Sequence, residues 1–138
     1  MSAILDTNVV LDALADREPW NKDAQQLLIR AAKGEDDLYL TGSAITDIYF
    51  LLKKHVLHNN QETRRALQVL LDSLGVVSVG KEACVEALHS PIPDYEDAVM
   101  AIAAAGEGME YIITCNTKDL KGSPVPAITP KAYLKKCA

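Results

Sequence analysis

The chain has 138 residues, 49% of them hydrophobic and 24% charged, with 14 Lys and Arg against 19 Asp and Glu. That size and balance fit one folded domain spanning 1–138 with a sizeable core, and exclude a disordered tail, a collagen-like repeat and a multidomain enzyme. A net charge of −5 and seven aromatic residues argue against holding nucleic acid by bulk positive potential or on a base-stacking platform.

Taken in chain order, Ala3-Ile4-Leu5 reads as a short strand that runs into Asp6-Thr7-Asn8. Val9 to Ala15 looks helical until Arg17-Glu18-Pro19 breaks it. From Trp20, expected to anchor in the core, Ala24, Leu27, Leu28, Ala31 and Ala32 recur at helical spacing as far as Gly34. Leu38-Tyr39-Leu40 is strand-like. Ser43 is the expected cap of a third helix through about His55, and a fourth runs from Gln61 to Leu74, with Gly75 as its terminating glycine. Val76 to Val79 is β-branched and reads as a strand, followed by a short helix from Lys81 to Leu88. Pro91-Ile92-Pro93 enforces extended chain, after which Asp94 caps a helix from Tyr95 to about Gly106. Tyr111 to Thr114 is the next strand. Pro124 to Ile128 holds a last one, confined to a sheet edge by its prolines, and Pro130 opens a helix through Lys136. Strands alternating with helices indicate an α/β domain, a mostly parallel central sheet flanked by helices on both faces.

No apolar run approaches the ~20 residues of a membrane-spanning helix. The N-terminal Met-Ser-Ala-Ile-Leu-Asp lacks a secretory pattern, so a cytoplasmic location without membrane contact is expected. Cys84, Cys115 and Cys137, odd in number and without a Cys-x-x-Cys pair, read as reduced thiols.

Ligands of open α/β sheets bind beyond the carboxyl ends of the strands, so strand exits are where chemistry is sought. The first exit carries Asp6, Thr7 and Asn8, the second leads to Asp47, and the fourth carries Thr114, Asn116 and Asp119. Asp94 and Asp97, three apart at a helix start, add two further acids on one face. Carboxylates that converge raise one another's pKa, a conflict that hard divalent cations relieve; Mg²⁺ or Mn²⁺ in such a cluster points to metal-dependent nuclease chemistry. Each acid also has a local reading. Asp6 and Asp94 suit helix caps, Asp97 the third helical position, Asp47 an exposed first turn, and Asn116 and Asp119 a turn. His55 and His58 are three apart without a His-Glu-x-x-His frame, and read as helix-end residues. Lys53-Lys54 and Arg64-Arg65 read first as solvated faces.

Ile4-Leu5-Asp6-Thr7-Asn8-Val9-Val10-Leu11-Asp12 resembles the opening of a PIN domain, the ribonuclease fold of VapC-like toxins. Pro93-Asp94-Tyr95-Glu96-Asp97-Ala98-Val99 resembles that family's central acidic motif, and Tyr111 through Leu120 its closing strand and loop. Val125 to Pro130 is similar to the segment that finishes the domain. The resemblance covers nearly the whole chain in order. It implies an Mg²⁺- or Mn²⁺-dependent endoribonuclease, the toxin of a VapBC-type pair, with a cognate antitoxin and a homodimeric state. By it, Asp6, Asp47, Asp97 and Asp119 are catalytic. Asp6, Asp97, Asp119 and Asn116 hold metal, and Thr7, Asn8, Asp94 and Thr114 support them. Asp47 stands where many members carry Glu, and Cys115 where Arg is frequent. A PIN-fold module that binds RNA or protein with weak or no catalysis is the alternative. A haloacid-dehalogenase-like phosphatase needs Asp where Asn8 stands, and a GTPase needs a Walker loop, which the sequence lacks. Setting aside Asp6, Asp47, Asp94, Asp97 and Asp119 leaves as many acids as bases, so the net charge of −5 is located in one cluster.

Overall fold

Alternation along the strands decides which of two cores each side chain joins. The computed structural model describes residues 1–138. In β1 (Ser2–Leu5), Ala3 and Leu5 enter one core while Ile4 enters the other. The same period-two rule splits Leu38 and Leu40 from Tyr39 in β2 (Asp37–Thr41), and Ile113 from Ile112 in β4 (Tyr111–Ile113). Strands buried on both faces need helices on both, and the intervening segments supply them.

On one face lie α1 (Thr7–Leu14), α2 (Asn21–Ala32), α3 (Gly42–Leu52), α4 (Asn60–Ser73) and, from the other end of the chain, α7 (Pro130–Cys137). On the other lie α5 (Lys81–Ala87) and α6 (Tyr95–Gly106), whose Ala98, Ala101 and Ala104 present a fully buried small-residue stripe that lets the helix approach the sheet closely. With β3 (Gly75–Val77) and β5 (Ala127–Ile128), the sheet is five-stranded, in the order β3-β2-β1-β4-β5, and every pairing is parallel. The chain moves outward from β1 through β2 to β3, then crosses to the other side of β1 for β4. The order therefore reverses between β1 and β4, and a crevice opens at their carboxyl ends.

Several local expectations are corrected. Thr41, not Ser43, caps α3, its Oγ1 accepting from the Ala44 amide at 3.2 Å. Beyond Leu52 the helix does not continue in α form to His55 but widens into a π turn, Lys53–Leu57, closed by His58 in the left-handed region at φ 55°. The fourth helix begins one residue early because Asn59 caps it through the amides of Gln61 and Glu62. Gly75 is not a left-handed terminator: Leu74 is already extended, and Gly75 opens β3. Its lack of a side chain matters for packing instead, since a Cβ there would overlap the Tyr39 ring of the neighbouring strand. Trp20 is 52% exposed, because the buried stripe of α2 runs through Asn21, Ala24, Leu27 and Ala31. The edge position of the last strand and the helix opened by Pro130 are as expected, and the structure adds Thr129 as that helix's cap.

Gly75→Ala is expected to destabilise the domain by about 1–3 kcal/mol, the usual cost of overpacking. Equilibrium urea unfolding of the two proteins checks it, and an unchanged midpoint would show that Tyr39 can swing aside.

Candidate active site

β1 and β4 end side by side, with Leu5 in register with Ile113 and the Asp6 amide donating to the Ile113 carbonyl at 3.0 Å. That register brings Asp6 to Thr114, 108 positions away, and the Thr114 hydroxyl donates to Asp6 Oδ2 at 2.9 Å. The other carboxylate oxygen, Oδ1, accepts from the Asn8 amide at 3.4 Å as the cap of α1. Capping and a place in the site are thus one arrangement for Asp6. Thr114 Oγ1 in turn accepts from the Asn116 amide at 3.1 Å, which shapes the turn into the 3-10 segment Thr117–Leu120.

From the opposite wall, α6 presents its first turn. Asp94 caps it by accepting from the Asp97 amide at 3.0 Å, which fixes the pitch at which Glu96 and Asp97 leave the helix. Asp47 comes from the second turn of α3, and Asp119 from the 3-10 segment. Together Asp6, Thr7, Asn8, Asp47, Asp94, Asp97, Thr114, Asn116 and Asp119 line one cleft of about 490 Å³, with Phe50, Leu51 and Leu120 as its apolar lining. All nine side chains singled out from the sequence meet there.

Glu96 lines the same cleft and escaped the sequence reading. Its signal was only its place between Asp94 and Asp97, which any solvent-facing first-turn acid could share. Six carboxylates therefore share the cleft, with no Lys or Arg among the lining residues. The electrostatic consequence falls on two of them. Burial, then the charges of Asp94, Asp6, Asp119 and Glu96, push Asp97 up to about 6. Burial and the charges of Asp47, Asp94 and Asp6 raise Glu96 as well.

A second unforeseen group lies behind the first motif. Asp12 is buried on α1, where burial raises its pKa despite an ion pair with Arg17 at 2.9 Å. Arg17 also donates to the Asn8 carbonyl at 3.3 Å, bracing the first turn of α1. Cys115, beside Thr114 in sequence, does not line the cleft; its thiol lies 3.9 Å from Asp12 Oδ2. Nor do His55 and His58 line it. His58 belongs with Lys53 and Lys54 to a shallower depression that shares Phe50 and Leu51 with the acidic cleft, so that lysine pair sits next to its mouth.

The donor set tests which group would fit. Carboxylate, amide and hydroxyl oxygens without thiol or imidazole suit a hard divalent cation such as Mg²⁺ or Mn²⁺. No three acidic, histidine or cysteine side chains are gathered closely enough to hold an ion by themselves. The fit is thus to an ion held by one or two carboxylates and reached by the others through water, the usual manner of Mg²⁺.

Comparison with known proteins accords with the geometry. A family model described as "PIN domain" matches residues 2–118. A toxin-antitoxin complex from Klebsiella pneumoniae contains a chain 25% identical, with a TM-score of 0.66, covering 93% of this chain and 97% of that one. VapBC2 from Rickettsia felis, bound to a DNA fragment from its promoter, matches at 15% identity and a TM-score of 0.68, covering 94% and 98%. VapC20 from Mycobacterium tuberculosis, described as a sarcin-ricin loop cleaving toxin, matches at 10% identity and a TM-score of 0.61, covering 80% and 86%. No curated protein sequence matches.

In metal-free protein the raised Asp97 makes stability fall as pH rises. The folded form holds a proton up to about 6 that the unfolded chain releases near 3.8, so the cost of ionising Asp97 develops between those values and persists above them. Asp97→Asn is therefore expected to raise Tm above pH 6 and to change it little at pH 4, as thermal melts in EDTA at the two pH values would read.

Proposed function

This chain belongs to the PIN-domain family, and we propose that it is a divalent-metal-dependent endoribonuclease, the toxin of a VapBC-type toxin-antitoxin pair. The observation that carries the proposal is the meeting of Asp6, Asp47, Asp97 and Asp119 in one cleft at the sheet's switch point, with Asp97 raised to about 6 by burial and its acidic neighbours. Relatives described as VapBC proteins, and one as cleaving the sarcin-ricin loop, support the toxin role and RNA as substrate.

In this reading Asp6 and Asp97 would hold Mg²⁺ or Mn²⁺, with Asn116 and Asp119 completing the donor set. A bound divalent ion would make water nucleophilic near neutral pH and neutralise phosphate oxygens. Thr114 holds the Asp6 carboxylate in one orientation through its hydroxyl. Asp94, by capping α6, does the same for the turn that carries Glu96 and Asp97. Asp47 and Glu96, not needed as direct ligands, are placed to accept a proton from the attacking water. Thr7 and Asn8 offer uncharged hydrogen-bond donors for phosphate oxygens. At the mouth, Lys53 and Lys54 supply the positive charge that the cleft lacks, so the RNA backbone crosses from the lysine pair into the acids.

The exposed face of α3 and α4, with Phe50 69% and Val69 66% exposed, offers apolar area for the cognate antitoxin and a second protomer. Neighbours described as toxin-antitoxin complexes favour the antitoxin as one occupant.

Purified protein is expected to cleave single-stranded or structured RNA with Mn²⁺ and to stop with EDTA. Asp97→Asn is expected to lose at least a hundredfold in rate while remaining folded by circular dichroism. Undiminished cleavage by Asp6→Asn, or in EDTA, would overturn the mechanism, and metal-independent RNA binding without cleavage would favour a PIN-fold binding module. Lys53→Ala with Lys54→Ala is expected to weaken RNA binding alike for all sequences. The pair should also flatten the salt dependence of log K by about one unit per lysine that meets a phosphate, readable in a fluorescence-anisotropy salt series.

A further inference from the structure

A second cleft, of about 570 Å³, adjoins the acidic one and shares Asp6, Thr7, Asp47, Glu96 and Asp97 with it as a common wall. Its remaining lining is different in kind. Val76, Val77 and Val79 at the exit of β3, with Tyr95, Val99 and Met100 of α6, form an apolar surface. The hydroxyls of Ser43 and Ser78 stand at its rim, on residues that are both exposed. Val76 and Tyr95 remain 47% and 46% exposed, so the cleft is an open apolar recess rather than part of the core. The Tyr95 ring is held in place by its hydroxyl, which donates to the Cys84 carbonyl at 2.8 Å. A recess of this size, with an apolar wall on one side and hydroxyls and the shared carboxylates on the other, has the character of a site for a small heterocycle carrying hydroxyls.

Resting on the nuclease reading of the adjoining acids, we propose that this cleft seats the nucleoside next to the cleaved phosphodiester, its base against Tyr95 and the valine wall and its ribose toward Ser43 and Ser78. Continuity decides the occupant. Whatever lies here touches the same carboxylates that line the catalytic cleft, so the strand that presents a phosphate to Asp6 and Asp97 continues directly into the recess. An aromatic face accepts any base by stacking, while the valines and Met100 limit its size. The cleft thereby gives the enzyme its preference among bases beside the scissile bond.

The test pairs a binding measurement with a kinetic one. Amide ¹H–¹⁵N spectra of the full chain are recorded during titration with AMP, with UMP, and with ribose 5-phosphate as the base-free control. The nucleotides are expected to shift the amides of Gly42, Val79, Tyr95 and Val99, and ribose 5-phosphate to shift them much less. In cleavage of a single-stranded RNA, Tyr95→Ala is expected to raise KM about five- to tenfold with a much smaller change in kcat, the loss of one stacked base. Gly42→Trp is the independent variant. A Cβ at Gly42 would meet no atom within 4 Å, so the position accepts a side chain, and because Gly42 lines the cleft an indole there is expected to obstruct it, raise KM and alter the cleaved sequence. Shifts that do not depend on the base, or an unchanged KM in both Tyr95→Ala and Gly42→Trp, overturn the proposal. A dimer converted to monomer by Gly42→Trp with KM unchanged would overturn it in favour of a second copy of the chain as occupant. Should the wild-type protein cleave no RNA, the nuclease reading falls by itself. The nucleotide titration still decides the cleft, base-dependent shifts there supporting it and their absence overturning it.

Discussion

The pairing of β1 with β4 is the constraint from which the site follows. β1 is the central strand, with Ala3, Ile4 and Leu5 at most 1% exposed, and it has no freedom to slip without moving apolar side chains from one core to the other. Its register with β4 therefore fixes where both chains leave the sheet, and the hydrogen bond from Thr114 to Asp6 follows from that register. Everything catalytic in the proposal is placed relative to this bond. α6 packs on the sheet through its alanine stripe, and the same packing sets the distance across which its acidic first turn faces Asp6.

Gathering six carboxylates opposes folding, because each ionised group raises the cost of ionising the next. The fold tolerates this through its caps. Asp6 and Asp94 each accept a backbone amide, and Asp6 also accepts the Thr114 hydroxyl. The Asp97 carboxylate accepts no hydrogen bond, and its burial and the surrounding charges, first that of Asp94, make the tension appear there as a retained proton. A site of this kind has electrostatic free energy to release when a cation enters, and the net charge of −5 becomes a property of one cleft rather than of the surface as a whole. Next to the cleft the lysine pair supplies the opposite sign, so the field that an approaching phosphate meets changes over a short distance.

The departures from the family's pattern are carried by neighbouring groups. Asp47 is one methylene shorter than the frequent Glu, yet it still reaches the cleft wall, and Glu96 adds a longer carboxylate beside it. Cys115 replaces a frequent Arg, and its thiol is turned to Asp12, while Arg17 holds Asp12 and the Asn8 carbonyl from the opposite end of α1. The substitution removes a cation from the motif but leaves the first turn of α1 braced.

Much of this protein was legible in its sequence. Strand exits, the Asp94 cap and the helical spacing of Asp97 depend on neighbours within one turn or on period-two alternation, and such short-range rules identified the α/β class and every acid of the cleft except Glu96. Glu96 was hidden because a first-turn acid looks the same whether it faces solvent or a cleft. Thr41 rather than Ser43 as the cap of α3, the exposure of Trp20 and the packing role of Gly75 were misread for a related reason: each depends on where a strand ends or on which side chain lies across from it. Local patterns in the chain suffice to say which segments pack into the core and which residues carry charge. It took the folded chain to show that Thr114 meets Asp6, that the Cys115 thiol lies against Asp12, and that a second, apolar cleft shares the acidic wall. Those contacts join residues far apart in the chain, and their existence depends on sheet order and register, which no local pattern encodes.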